Sequence, residues 1–331
     1  MIEAVQILIV LDVDVEAFDT DEVWALVSGP FERREVLTLS GHGPPEVHRF
    51  REGIQSDQWE AMARSTERLA ERAVAIASDA ASSKRRCEFY VCGQAPLSLF
   101  AHLGRLLGPR LRPLTLVNRR RDGIWDVISL DAQAPRQEVF FNVVSGLDGS
   151  ARHGRVAIFV STQGQPAPAQ LIADFFRAED EDLAGIVEIR SSRPAYLDAG
   201  NALAAQRQIG EVLSQVSSAY PESSGVALFL AVPAPLAYLV GRAAPNYLGE
   251  IWLTNHEYLL DRQAYTRVLP RRAVLHPPPG DLGPIEFIDI RNLRLFEHLA
   301  ISAKPHGDGE GQWIILLGDN GMGKTTILRS G

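Results

Sequence analysis

In the first half of the chain, apolar residues gather in short unbroken runs separated by stripes at helical spacing. VQILIVL (residues 5–11) and residues 35–40 predict strands. From about 57 to 80, Trp59, Met62, Leu69, Ala73 and Ile76 form one apolar stripe, with Asp57 as cap and Glu60 completing a capping box. CEFYVCG then predicts a strand, and a short helix opens at Pro96 in PLSLFAHLGRLLG. LTLVNRRRDGIWDVISL alternates about Asp122-Gly123, which predicts a hairpin. EVFFNVVSG predicts a last strand that closes this half near Gly149.

The second half repeats the scheme. RVAIFVSTQG is a strand, APAQLIADFFRA a helix and GIVEIRSS a strand; residues 198–217 are a long helix capped by Asp198. GVALFLAVP, PLAYLVGRAA and EIWLTNHEY follow as strand, short helix and strand. Strands alternating with helices predict parallel-sheet α/β units. FYVCGQAPLSLFAHLGR and LFLAVPAPLAYLVGR echo each other, both running strand, Ala-Pro-Leu, then Gly-Arg, from Ala95 to Arg105 and from Ala234 to Arg242. The second string is two residues shorter between those marks, and the matching order of elements points to a duplication. The expected organisation is a first half over 1–149, a second over 152–268, a Pro/Gly-rich linker over 269–284 and a further segment over 285–331.

That last segment carries a different signal. QWIILLG reads as a buried strand, and GDNGMGKTT follows it with TTILRS able to open a helix. Gly318, Gly323, Lys324 and Thr325 fit the phosphate-binding loop residue for residue. Glycines let backbone N–H groups curl around phosphate oxygens at a helix N-terminus. In this geometry Lys324 reaches the β- and γ-phosphates and the Thr325 hydroxyl holds Mg²⁺.

Composition narrows the function. Apolar residues make up 46% of the 331, as in a globular chain, and the net charge of −8 gives no general attraction to duplex DNA. The basic clusters Lys84-Arg85-Arg86, Arg119-Arg120-Arg121 and Arg271-Arg272 are local. Cys87 and Cys92 lie five apart on one strand, hence on opposite faces, where they cannot easily pair; a reducing, cytoplasmic setting fits. The apolar run at the N-terminus is too short for a membrane span and has acids directly behind it. The eight histidines are scattered, with no HExxH, no Cys/His cluster at metal spacing and no G-x-S-x-G elbow.

Two resemblances sharpen these readings. Ile290, Asn292, Leu293 and Phe296, then Gly318, Asn320, Gly321, Gly323, Lys324, Thr325 and Thr326, resemble the opening of SMC-like and ABC-type P-loop ATPases. That resemblance implies ATP and Mg²⁺ as ligands of a longer protein. No acidic Walker B strand or signature loop follows, so the chain is expected to be a truncated ATPase start that does not hydrolyse ATP alone. GQAPLSLFAHLG, LVNRRRDGIWDVI, GRVAIFVSTQG and GVALFLAVPAPLAYLVGR with EIWLTNHEY resemble a SAVED domain, the cyclic-oligonucleotide sensor of bacterial antiphage signalling. This implies two fused, pseudo-symmetric, Rossmann-like halves of CARF type, a cyclic oligonucleotide as ligand, and a fused effector that the ligand activates, often through assembly.

In open α/β sheets, ligands sit beyond the carboxyl ends of the strands. The expected contacts are therefore Gly93, Gln94, Ser161, Thr162, Gln163, Arg193 and Pro233 on strand-end loops, Arg119 and Arg121 for phosphates, and Trp125 and Tyr258 for base stacking. Each also has a structural reading. Trp125 can pack in its hairpin, Tyr258 can end its strand, Ser161 and Thr162 can cap the next helix, and Arg119 to Arg121 alternate faces. Two further functions stay open: a ring nuclease of the same fold, for which no base is evident, and the head of an SMC-like DNA-repair ATPase, which would bring DNA as a partner.

Overall fold

The computed structural model describes residues 4–13, 19–27, 31–39, 56–108, 110–120, 123–131, 139–149, 153–244, 250–258, 263–268, 287–293 and 296–302. The chain divides into two compact units, residues 1–270 and 271–331. The first runs β1 (Ala4–Asp12), α1 (Thr20–Leu26), β2 (Phe31–Thr38), α2 (Ser56–Ser82), β3 (Arg86–Gln94), α3 (Leu97–Leu107), β4 (Leu114–Arg119), β5 (Trp125–Ser129) and β6 (Val143–Ser145). It continues with β7 (Gly154–Ser161), α4 (Ala169–Ala178), β8 (Leu183–Arg190), α5 (Ala202–Ala219), β9 (Ser223–Ala231), α6 (Ala234–Ala243), β10 (Glu250–Tyr258) and β11 (Gln263–Arg267).

Two mixed sheets result, in the orders β2-β1-β3-β4-β5 and β11-β10-β9-β7-β8-β6. Read from β8, the second sheet repeats the first: second strand, first, third, fourth, fifth. In each, four strands are parallel and the fifth turns back antiparallel. The two halves therefore share one topology, a doubly wound α/β unit. β3-α3 and β9-α6 superpose in sequence without a gap, Arg86 on Ser223, Gln94 on Ala231, and the helix-capping Pro96 on Pro233. The echo thus aligns on these prolines, and the two-residue shortening suggested by Ala-Pro-Leu disappears.

The strands read as continuous apolar runs because helices cover both faces of each sheet. Ile7, Ile9 and Leu11 of β1 share one core with Val156, Ile158 and Val160 of β7, and α2, α3, α5 and α6 fill the space between the sheets. Leu8, Val10, Tyr90, Cys92 and Val117 face outward toward Val23 of α1. Phe159, Phe229 and Trp252 face outward toward Phe175 and Phe176 of α4. At the centre, α3 crosses α6. A Cβ on Gly104 would collide with the Tyr238 carbonyl oxygen, and one on Gly241 with the Ala101 carbonyl oxygen. Gly104 aligns with Gly241 and Ala101 with Tyr238, so the two collisions are one contact seen twice across a pseudo-two-fold axis.

Several expectations change. The strand expected to close the first half is β6, and it pairs antiparallel with β8 in the second sheet. Its partner is set by tertiary packing, because Gln208 of α5 receives the backbone N–H groups of Phe140 and Phe141 at 2.6 and 2.9 Å. The long helix α5 begins at Ala202 rather than at residue 198; Asp198 instead accepts from Gly200 and Asn201 N–H at 2.8 and 3.0 Å, forming a turn ahead of it. Helix α2 already includes Asp57. Cys87 and Cys92 are buried on opposite faces and unpaired. Among the described residues no helix is long and apolar enough to cross a membrane.

In the second unit, β12 (Phe287–Leu293) and β13 (Phe296–Ser302) form an antiparallel hairpin, with Phe287 opposite Ser302 and Leu293 opposite Phe296. It contains Ile290, Asn292, Leu293 and Phe296. The phosphate-loop set Gly318, Asn320, Gly321, Gly323, Lys324, Thr325 and Thr326 lies outside the described residues.

Candidate functional site

Side-chain alternation along β4 sorts the arginines that follow it. Leu116 faces the shared core and Val117 the α1 side. Arg119 therefore belongs to the α1 side, where it pairs with Glu22 at 3.7 Å and lies 5.7 Å from the Trp125 ring centroid. Trp125 packs on the Leu8 cluster, which is the packing reading of that residue. Neither residue faces the second half. Arg120 does: its guanidinium forms a two-pronged bond to Asp126, 2.7 and 2.5 Å, and lies 5.5 Å from the ring centroid of Tyr196. Arg121 lies outside the described residues.

Tyr196 sits in the loop that follows β8, and that loop is held firmly. Ser191 N–H donates to the Ser161 carbonyl at 3.2 Å, and Ala195 N–H to the Thr162 carbonyl at 2.9 Å. Asn142 grips Ser192 twice, donating to its hydroxyl at 2.8 Å and accepting its N–H at 2.7 Å. Asn201 donates to the Tyr196 carbonyl at 2.9 Å. The backbone of Tyr196 is thus fixed while its side chain is 73% exposed. A large aromatic residue on a rigid loop, open to water, supplies a stacking face at low entropic cost.

The strand-end residues divide into two groups. Ser161 and Thr162 are buried, so they do not line an open surface. Ser161 Oγ accepts from Gln163 N–H at 3.1 Å, and Thr162 N–H reaches the Ala231 carbonyl at 3.1 Å, joining the ends of β7 and β9. Neither caps the next helix, which starts at Ala169 behind Pro168. Gln94, Gln163 and Arg193 are exposed at the ends of β3, β7 and β8. Gly164 rests against Arg193, its would-be Cβ 3.2 Å from the Arg193 Cα. Pro233 is half-buried at the cap of α6. Gly93 has a positive φ of 133°, and a Cβ there would strike the Leu11 carbonyl; its smallness lets β3 lie tight on β1. Tyr258 ends β10, with its side chain outside the described residues.

The result is a continuous rim: the ends of β9 and β7, the loop after β8 and, across the seam, the end of β4 with Arg120. It offers the guanidinium of Arg120, that of Arg193 exposed after β8, the open aromatic face of Tyr196 and the exposed amide of Gln163. Sequence reasoning did not single out Tyr196, Asn142 or the placing of Arg120, rather than Arg119, at the seam. Only the last had a signal, the parity of β4 relative to Leu116 and Val117. Among the described residues no group of three or more His, Cys, Asp and Glu could hold a metal ion.

A single chain carrying two copies of one doubly wound unit, with a polar rim at the strand carboxyl ends, defines a two-lobed Rossmann-like module. The chain belongs to the SAVED family: the family model described as "SMODS-associated and fused to various effectors sensor domain" matches residues 70–269, more than half of its length. Among solved structures it is similar to the Acinetobacter baumannii Cap4 SAVED/CARF-domain receptor with the cyclic trinucleotide 3'3'3'-cAAA, at 14% identity and a TM-score of 0.51, over 81% of this chain and 52% of that one. A Moraxella osloensis Cap4 receptor aligns at 13% identity and a TM-score of 0.46, over 70% and 47% of the two chains. The chain thus spans about half the length of the solved receptors it matches. No curated protein sequence matches it significantly.

Proposed function

We propose that residues 1–270 are a sensor for a cyclic oligonucleotide, bound across the seam between the two halves at the strand carboxyl ends. The observation that carries this is the meeting of Arg120 from the first half with the exposed Tyr196 from the second. A ring of nucleotides needs anion partners and stacking faces on more than one side, and this seam supplies both from two walls. Gln94, Gln163, Arg193, Pro233, Arg121 and Tyr258 complete the proposed rim. Gly93, Ser161 and Thr162 act through the backbone, and Arg119 and Trp125 brace the outer face. The boundary between halves falls ahead of β6, at about residue 139.

Family membership supports a role in antiphage signalling; the reading places the protein in the cytoplasm, with the ligand controlling a downstream element and driving homo-oligomeric assembly on binding. That element begins with the β12–β13 hairpin and the loop containing Lys324 and Thr325, which would bind the phosphates of ATP and Mg²⁺ in a longer protein. The test is calorimetry of the 331-residue chain with a panel of cyclic di-, tri- and tetranucleotides that includes 3'3'3'-cAAA. One member should bind, raise the melting temperature and be recovered intact. Tyr196→Ala should weaken it about 5- to 100-fold, the range expected for one lost base stack. Silence across the whole panel, or a ligand recovered cleaved, would overturn the sensor reading.

A further inference from the structure

A second cavity lies elsewhere on the seam. Its volume is about 530 Å³, and Arg112, Asp131, Gln206, Arg207 and Arg242 supply its polar lining. Arg112 enters β4 and Asp131 follows β5, whereas the other three come from α5 and the end of α6. Both halves therefore build it. Arg112 and Arg120 flank opposite ends of β4, whose six residues span roughly 20 Å at about 3.3 Å per residue, so this cavity is separate from the rim at Tyr196.

The charges here do not balance. Three guanidinium groups face one carboxylate, and that carboxylate already accepts the Leu114 N–H at 2.6 Å. Among the described residues, Arg207 is paired with Glu211, at 3.8 Å on an exposed helix surface. Such a pair contributes little and exchanges readily. Among the described residues, Arg242 Nη1 is buried with no hydrogen-bond partner. A buried guanidinium N–H without an acceptor is a costly group, more so with a second guanidinium nearby. Burial, the largest cause, lowers the Arg242 pKa from its ordinary value; the Tyr238 and Asp131 charges oppose this and that of Arg112 adds to it. An oxyanion would supply the missing acceptor and offset the repulsion at once.

We infer that this cavity is a second anion site, taking the phosphate groups of a free polyphosphate or of a nucleotide through Arg112, Arg207 and Arg242. Its polar lining and its volume suit a ligand of up to nucleotide size. The assignment is independent of the cyclic-oligonucleotide reading.

The test is calorimetry of the 331-residue chain carrying Lys324→Ala, which removes the phosphate loop as a competing site, with inorganic pyrophosphate and ADP as probes. Both should bind one per chain; tighter ADP marks a nucleotide site and tighter pyrophosphate a site for free polyphosphate. Arg242→Gln should weaken binding at least tenfold. Exposed Arg112→Gln, which removes no buried group, should do the same if Arg242→Gln fails to fold. Arg120→Gln should leave pyrophosphate binding unchanged, and Arg112→Gln should leave the response to the cyclic-nucleotide panel unchanged. Absence of binding by both probes, binding indifferent to Arg112→Gln, or equal loss on Arg120→Gln would overturn the inference.

Discussion

At the scale of single residues, the decisive property is which face of its strand a side chain occupies. Arg119 and Arg120 are neighbours, yet one braces α1 through Glu22 and the other reaches Tyr196 across the seam. Arg120→Gln should therefore weaken cyclic-oligonucleotide binding at least tenfold, while Arg119→Gln, with its partner on an exposed surface, should change it less than twofold; titration calorimetry of both variants separates them. The cysteines give a second residue-level expectation. Burial, with Glu88 and Glu35 adding to it, pushes the Cys87 thiol up to about 11, and burial with Asp12 pushes Cys92 up as well. Both should resist a thiol reagent at pH 8 in the native protein and react at once in denaturant. The sign of the linked stability follows: the fold disfavours both thiolates, so this contribution is full below pH 9, the ordinary value, and lost as pH rises toward about 11 for Cys87. Denaturant midpoints measured from pH 8 to 11 should fall.

At the scale of elements, the glycine-tight crossing of α3 and α6 fixes how the halves meet. Gly104→Ala and Gly241→Ala should each lower stability by about 1–3 kcal/mol, the usual cost of forcing atoms into a packed interior, and by similar amounts because the contact is pseudo-symmetric. Denaturant unfolding checks both magnitude and equality. Most elements were legible in the sequence: β1, β3, α3, the β4–β5 hairpin and, in the second half, β7 to β10 with α4 to α6 follow from runs and stripes. Others were not. The seven residues of α1 are too few to declare a helical period, and the five of β11 carry no distinctive alternation. Local pattern identified β6 as a strand but could not say which sheet it joins, because strand pairing is decided by distant neighbours such as Gln208. Residues 198–201 looked helical, and the Asp198 turn, a short-range side-chain competition with the helix, displaced the start.

At the scale of the whole first unit, duplication was readable from the repeated order of elements, and the shared strand order supports it directly. The proposed site was only half readable. The rule that ligands gather at strand carboxyl ends pointed to the loops of the proposed rim, but not to Arg120 and Tyr196. Tyr196 stands in an unpatterned loop, SSRPAYLDAG, where nothing local distinguishes a stacking face from a packing residue. Arg112, Arg207 and Arg242 are far apart in sequence and meet only when the halves close on one another.

Joining both lobes in one polypeptide has an evolutionary corollary. In a receptor made of two identical subunits, every substitution arrives in duplicate, and the two walls of a shared cleft must stay the same. Here Arg120 and Tyr196 belong to different copies, and β6 extends one sheet without a counterpart among the described strands of the other. Selection can therefore tailor each wall separately, so such a module is free to drift toward guests that lack twofold symmetry of their own.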